Sequence, residues 1–343
     1  MVCPICENFE NTVSATLKSY PVGTIFLAAV SGGADSMAML TALINSSFLI
    51  SNFSLLKCLH VEHGLRPAEE SRGDADFVFD YCKKNGIECF VVHIKPGKIA
   101  AFAKRKGIGI EAAARFFRHK ALRLHAEQLG ENTAILTGHT KDDLLETALM
   151  RVLRGSGPAG LAVMPKKRGR FVRPLLAKTR ADVIGYLTAK GISWREDATN
   201  TDEMFLRNKV RKRLVPLLDE AFPSWKAGVD AMANTQSLTA DFIAEEAKKR
   251  IKWAVLPESS FTETKNFFAQ PQIIREEAVF QAIDEMLKNK KNFKSIKRSV
   301  IRKFCSGAAA VDLGAVRVKQ EGEKIIVSFA QKEFFECGIS RMI

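Results

Sequence analysis

Between residues 24 and 153 the chain alternates short apolar runs with amphipathic stretches, and this alternation limits the fold more than any other feature. Thr24–Val30 (TIFLAAV), Leu55–Val61, Glu88–Ile94 and Thr133–Thr137 have the length and apolar content of buried strands. Ala34–Ile44, Glu69–Asn85, Ile110–Leu129 and Asp142–Leu153 space their apolar residues as helices do, with Met37, Leu40 and Leu43 on one face of the first. Strands separated by helices of this length need right-handed crossovers, which make the sheet parallel and cover it on both faces. Ligands of such sheets bind beyond the carboxyl ends of the strands. The residues that follow each strand are therefore the ones to read for chemistry.

After the first strand comes Ser31-Gly32-Gly33-Ala34-Asp35-Ser36. Two glycines permit a tight turn, and the next helix offers the positive end of its dipole, a combination that cradles phosphate. There is no Lys before the Ser, as a Walker A loop requires, and no GxGxxG spacing. Taken alone, the turn also fits an ordinary strand–turn–helix with Asp35 or Ser36 as N-cap. The second strand runs into His60-Val61-Glu62-His63-Gly64-Leu65-Arg66, where His60 and Arg66 are of the types that contact a nucleotide and where either histidine also suits a satisfied loop position. After the fourth strand, His139, Asp143 and Glu146 fall at i, i+4 and i+7 on one face of a helix start, a placement that suits Mg²⁺ but also suits the helix dipole. Arg115 and Arg118 open the preceding helix, within reach of phosphates or on a solvated face.

The charge supports a polyanion partner. The chain has 52 Lys+Arg against 38 Asp+Glu, a net charge of +14. Residues 1–100 hold 8 basic and 10 acidic side chains, whereas residues 101–220 hold 24 and 13, so the excess is concentrated in the middle third. One basic cluster runs from Arg151 and Arg154 through Lys166, Lys167, Arg168, Arg170 and Arg173; a second comprises Arg207, Lys209, Arg211, Lys212 and Arg213. The Lys166–Arg170 run reads as a hairpin tip. No segment has the roughly 18 continuous apolar residues of a membrane helix, so no membrane partner is expected. Seven scattered cysteines read as reduced thiols, and Cys3-Pro4-Ile5-Cys6 lacks the second pair that a structural zinc site wants. A cytoplasmic location follows as an expectation.

The turn SGGADS resembles the PP-loop of the ATP pyrophosphatases. The ordered series SGGADS, HVEHGLR, GIGIEAAAR, TGHTKDDLLET, RGSGPAGL, RPLL, WREDATNTD and RNKVR, over about residues 20–220, resembles more narrowly the bacterial tRNA(Ile)-lysidine synthetase family. The chain departs from that pattern at Thr140, where many members have a second His, and at Leu144, where they have Gln.

The resemblance implies an adenine nucleotide alpha-hydrolase-like α/β fold: a Rossmann-like parallel sheet with helices on both faces, then a small α-helical domain. It implies ATP held by Ser31, Gly32, Gly33, Ala34, Asp35, Ser36, His60, Arg66 and Arg115, and Mg²⁺ held by Asp35, Asp143 and Glu146. Catalytic roles transfer to Asp35, Arg115, His139 and Asp143, and tRNA contacts to Arg154, Arg173, Arg195, Arg207, Asn208 and Arg211. The implied enzyme is a carbon–nitrogen ligase. It joins free L-lysine to C2 of the wobble cytidine of tRNA(Ile) with a CAU anticodon, through an adenylated tRNA, and releases pyrophosphate and AMP. A homodimer is among the open oligomeric states. The expected organisation is a catalytic domain over 1–220, a helical tRNA-binding domain over 221–310 and a short tail with strands over 311–343, in a short form of the family. Alternatives are a PP-loop tRNA 2-thiolation enzyme, which would want cysteines or an iron–sulfur site at the crevice, and a non-catalytic nucleic-acid-binding protein, which would leave the PP-loop unexplained. A PP-loop amidotransferase would need a glutaminase domain for which the chain has no room.

Overall fold

The computed structural model describes residues 3–50, 55–65, 68–196, 206–287 and 296–330. They form two compact units, which divide between Ala233 and Asn234. In chain order the first unit contains α1 (Pro4–Lys18), β1 (Ile25–Ala29), α2 (Ala34–Ile44), α3 (Ser47–Ile50), β2 (Leu56–Glu62), α4 (Ala68–Lys84), β3 (Glu88–His93), α5 (Lys98–Lys106), α6 (Ile110–Leu129), β4 (Thr133–Thr137) and α7 (Lys141–Leu153). It continues with α8 (Pro158–Leu161), β5 (Lys167–Arg168), β6 (Phe171–Val172), α9 (Arg180–Lys190), α10 (Leu206–Lys209), a π-helical turn (Val210–Leu214), α11 (Val215–Ala221) and the start of α12 (Trp225–Arg250). The four strands and four helices expected between 24 and 153 are all present, within about two residues of their expected ends.

The sheet order is β3-β2-β1-β4-β6-β5. Strands β3, β2, β1, β4 and β6 pair in parallel, while β5 and β6 form the antiparallel hairpin expected at the basic run. Period-two alternation assigns the two faces of β1. Phe26 and Ala28 join a core with Phe9, Met37, Leu40 and Tyr186 from α1, α2 and α9, whereas Leu27 and Ala29 pack with Leu122 and Ala126 from α6. Burial on both faces explains why this strand reads as a continuous apolar run. Helix α1, which the alternation after residue 24 did not include, seats Cys6, Phe9, Val13 and Leu17 in that core, with the Phe9 and Tyr186 rings stacked at 4.3 Å. Cys6 of the CxxC pair is thus a core residue.

The order places a topological switch point between β1 and β4: chain leaving β1 crosses to β2 on one side, and β4 lies on the other. The two loops singled out in the sequence, after β1 and after β4, flank this point.

The second unit, Asn234–Ile343, adds to the rest of α12 the elements β7 (Ala254–Val255), β8 (Ser259–Glu263), α13 (Thr264–Phe268), α14 (Gln272–Leu287), α15 (Arg298–Cys305), β9 (Ala310–Asp312), β10 (Val316–Glu321) and β11 (Lys324–Phe329). Here the expectation of a helical domain followed by a tail needs correction. The strands form one antiparallel sheet, β7-β8-β11-β10-β9, and share a core with the helices, in which Phe267, Ile283 and Phe304 meet Val318, Ile325 and Val327. Strand β8 (SSFTE) is too polar to read as a strand from its sequence; its pairing with the apolar β11 makes it one. The compact units also divide inside α12, after the Pro216–Pro223 boundary expected from the sequence. No described helix is long and apolar enough to cross a membrane.

Candidate active site

A crevice of about 1040 Å³ opens at the carboxyl ends of β1, β2 and β4. Its floor is the turn after β1. Gly32 adopts φ +90°, a left-handed conformation that glycine takes without steric cost. Ser36 closes the loop on itself: its hydroxyl donates to Gly33 O (2.9 Å) and accepts from Ser31 N–H (3.1 Å). Ser36 is thereby a loop brace, and Gly33 is the N-cap of α2.

The loop after β4 lies against this turn. A Cβ on Gly138 would stand 2.8 Å from Asp35 O, so only glycine lets the two loops touch. Thr140, where the chain departs from the pattern it resembles, is the N-cap of α7: Asp143 N–H donates to the Thr140 hydroxyl and Thr140 N–H to Asp143 Oδ2 (2.9 Å), a capping box. The cap fixes the rotamer of Asp143 and leaves Oδ1 facing the crevice side chains.

Two arginines from 60 residues further along meet the acidic face of α7. Arg207 donates from Nη2 to Asp143 Oδ1 (2.9 Å) and from Nε to Glu146 Oε2 (2.8 Å). Arg211 donates from Nε to Glu146 Oε1 (2.6 Å) and from Nη2 to Oε2 (3.1 Å). Glu146 is only 2% exposed, and these fork contacts engage both of its carboxylate oxygens. The π-helical turn carries Arg211: Val215 N–H donates to Val210 O, five residues back, just before Pro216, which has no N–H to offer the helix. Arg180, the first residue of α9, meets Asp35 Oδ1 through Nη1 at 2.6 Å, and its N–H donates to Asp142 Oδ2. Burial raises the Asp35 pKa, the Arg180 ion pair opposes that, and nearby Asp143 adds to the rise.

Three histidines of the crevice are held below the usual imidazole range. Burial, with Arg118, Arg173 and Arg115 close by, holds His139 down to about 3, although Asp143 opposes this, and burial with the same arginines and Arg123 holds His119 down to about 4. His139 Nδ1 is bonded to the Thr137 hydroxyl at 2.9 Å. His60 is buried with Nδ1 bonded to Val30 O (3.0 Å), tying β2 to the residue ahead of the loop, and burial lowers its pKa too.

Of the residues singled out in the sequence, Ser31, Gly33, Ala34, Asp35, Ser36, His60, Arg115, His139, Asp143, Glu146, Arg195, Arg207 and Arg211 all line this one crevice. Gly32 lies in its floor, where Gly32 O accepts from Arg195 N–H (3.0 Å). Three expected nucleic-acid contacts are elsewhere. Arg154 is exposed at the end of α7, Arg173 is buried with Nη1 on Pro165 O (2.7 Å), and Asn208 is half-buried beside Arg207 and outside the lining. Arg66 lies outside the described residues, as do positions 197–200 of the WREDATN segment. Arg180 is a crevice residue that the sequence does not mark, since nothing in its local spacing singles it out. No described cysteine lines the crevice.

Residues 6–218 match the PP-loop domain family. The chain is 35% identical over 320 residues to a tRNA(Ile)-lysidine synthase of Treponema denticola, covering 90% of this chain and 66% of that protein. It is 41% identical over 207 residues to a tRNA(Ile)-lysidine synthase of Treponema pallidum (strain Nichols), covering 60% of this chain and 42% of that one. The chain thus spans two thirds or less of the length of these curated relatives. Among solved structures, the U34-tRNA thiolase NcsA from Methanococcus maripaludis with its [4Fe-4S] cluster superposes with a TM-score of 0.55 at 16% identity, over 67% of this chain and 79% of that one, a likeness of fold. With over half its length matched, and with the glycine turn and the acidic helix start meeting at the switch point of a parallel sheet, this chain belongs to the PP-loop domain family.

Proposed function

We propose that the chain uses ATP to join L-lysine to C2 of the wobble cytidine of tRNA(Ile) with a CAU anticodon, in the cytoplasm. The cytidine O2 attacks the α-phosphorus of ATP and pyrophosphate leaves. The ε-amine of lysine then attacks C2, loses a proton, and AMP departs with that oxygen. The observation that carries this reading is Arg207. It belongs to the RNKVR segment, which sets the lysidine synthetase pattern apart from other PP-loop sequences, and its guanidinium rests on Asp143 and Glu146 beside the PP-loop.

In this reading the loop amides and the α2 N-terminus receive the departing pyrophosphate. Arg180, Arg207 and Arg211 are stationed on carboxylates and can turn to phosphate oxygens, at little reorganisation cost because their positions are fixed beforehand. Asp35, whose pKa the neighbouring Asp143 raises, and Asp143 itself are hard oxygen donors that fit Mg²⁺. Glu146, gripped by two guanidiniums, orients these arginines behind them. Mg²⁺, when bound, neutralises charge on the phosphate oxygens. His139 and His119, uncharged, offer hydrogen bonds rather than positive charge. The 1–220 region performs this chemistry, and the region beyond it contributes tRNA affinity. The target base leaves its stack to enter the crevice.

The test is incubation with CAU-anticodon tRNA(Ile), ATP, Mg²⁺ and labelled lysine. Label enters that tRNA only when all are present. Failure of incorporation with folded protein would overturn the assignment, and incorporation of sulfur instead would favour thiolation.

A further inference from the structure

Three of the cysteines converge on a point outside the crevice. Cys58 on β2 and Cys89 on β3 are register partners in neighbouring parallel strands, and Cys82 comes from the last turns of α4, which packs on both. Their Sγ atoms all lie within 4.8 Å of one another. Cys58 and Cys82 are fully buried, whereas Cys89 is half-buried on the edge strand of the sheet. Cys58 and Cys82 belong to the apolar core that also holds Leu56, Val78 and Ile87, and Cys89 packs against it.

We infer that Cys58, Cys82 and Cys89 form a three-sulfur site for a thiophilic d¹⁰ cation, Cu⁺ or Zn²⁺, that pins α4 and the edge strand β3 to the sheet. Packing alone asks of a buried cysteine only its volume; it does not require sulfurs from three separate elements to face one another. Metal–sulfur bonds of about 2.3 Å put the sulfurs of a three-thiolate site about 3.8–4.0 Å apart, so the observed convergence needs only a slight closing. Soft sulfur ligands select Cu⁺ and Zn²⁺ over hard cations, which keeps this site chemically separate from the carboxylates of the crevice. Hydrogen bonds from the Cys58 and Cys82 thiols favour the thiolate of Cys89, the member that solvent reaches, so an incoming cation meets a ligand already inclined to lose its proton. Each new metal–sulfur bond releases that thiol's proton to solvent. Cys3 and Cys6 make a competing pair at the start of α1, and Cys305 lies in the second unit.

The experiment uses the full chain, reduced and free of oxygen, with Cu⁺ in one arm and Zn²⁺ in the other. Bound metal per chain and the melting temperature are measured, together with near-ultraviolet sulfur-to-copper charge transfer in the Cu⁺ arm. One ion of at least one of the two metals should bind per chain and raise the melting temperature. Cys89→Ser, a near-isosteric change at the half-buried position, should keep the apo fold and weaken that binding at least about 10-fold. The Cys3→Ser/Cys6→Ser double variant and Cys305→Ala should bind as the parent does. The inference is overturned if neither ion binds to folded protein, if Cys89→Ser binds undiminished, or if binding disappears with Cys3 and Cys6.

Discussion

Two basic stretches of this chain look alike in sequence and are used differently in the fold. Around the β5–β6 hairpin, Lys166, Lys167 and Arg168 are exposed, Arg170 donates to Gly130 O at 2.8 Å, and Arg173 is buried on Pro165 O. These arginines bond to carbonyls, so they tie backbone to backbone. In the 207–213 stretch, Arg207 and Arg211 bond chiefly to carboxylates in the crevice, with only a long contact (3.4 Å) from Arg207 to the Asp143 carbonyl. A guanidinium on a carboxylate can be traded for one on a phosphate, whereas one that satisfies a buried carbonyl cannot leave without orphaning it. The partner of each charge, rather than the density of charge, separates a reactive site from scaffolding.

The strongest test of that contrast is Arg207→Ala. Pyrophosphate release from ATP in the presence of tRNA should fall by roughly 10²–10³, the effect of removing one preorganised electrostatic donor. A parental rate would put both stretches in the same class. Asp35→Ala should lower the same rate comparably while tRNA binding, read by filter retention, stays near parental.

Next in size is Glu146→Gln, which leaves two guanidiniums sharing a neutral amide. Chemical denaturation should show a loss of about 1–3 kcal/mol, below the 3–5 typical of a fully buried broken pair because the Arg211 side chain is 46% exposed. Added pyrophosphate should restore part of it by occupying the freed arginines. An unchanged denaturation midpoint would mean the fork contacts contribute nothing.

Two histidines of the crevice give a pH signature. Their folded pKa values, about 3 for His139 and about 4 for His119, lie below the unfolded value near 6.5. The unfolded chain therefore takes up protons first. The stability from these groups is complete above about pH 6.5 and is lost as pH falls through 4 and then 3. His139→Gln should flatten that acid limb of a melting-temperature profile; an identical limb would exclude His139 as its source.

The smallest effect belongs to the hairpin. In Lys167→Ala/Arg168→Ala the nucleotide step should be unchanged, while the slope of log tRNA affinity against log salt should become shallower by about 0.7–0.9 for each phosphate no longer neutralised. An unaltered slope would make the hairpin a solvated surface.

Much of the fold was legible because its signals are local. β1, α6 and β4 follow from apolar runs and spacing, and the loops after β1 and β4 stand out by their glycines and acids. The hairpin at Lys166–Arg170 was also readable, from a charged run between apolar residues. β8 was not, since a polar strand takes its identity from the strand it pairs with. Arg180 was not either: its role arises from an ion pair with Asp35, 145 residues away, and no periodicity encodes such a distance.

The sequence by itself determined the alternation of strand and helix, the phosphate-cradling turn and the uneven charge, because each is a property of neighbouring residues. Only the tertiary structure decided that β1 and β4 lie side by side, that Arg207 reaches Glu146 across 61 positions, and that Cys58, Cys82 and Cys89 point at one another. Strand order and side-chain packing bring such groups together. Both follow from burying the whole apolar surface at once, which no single segment specifies.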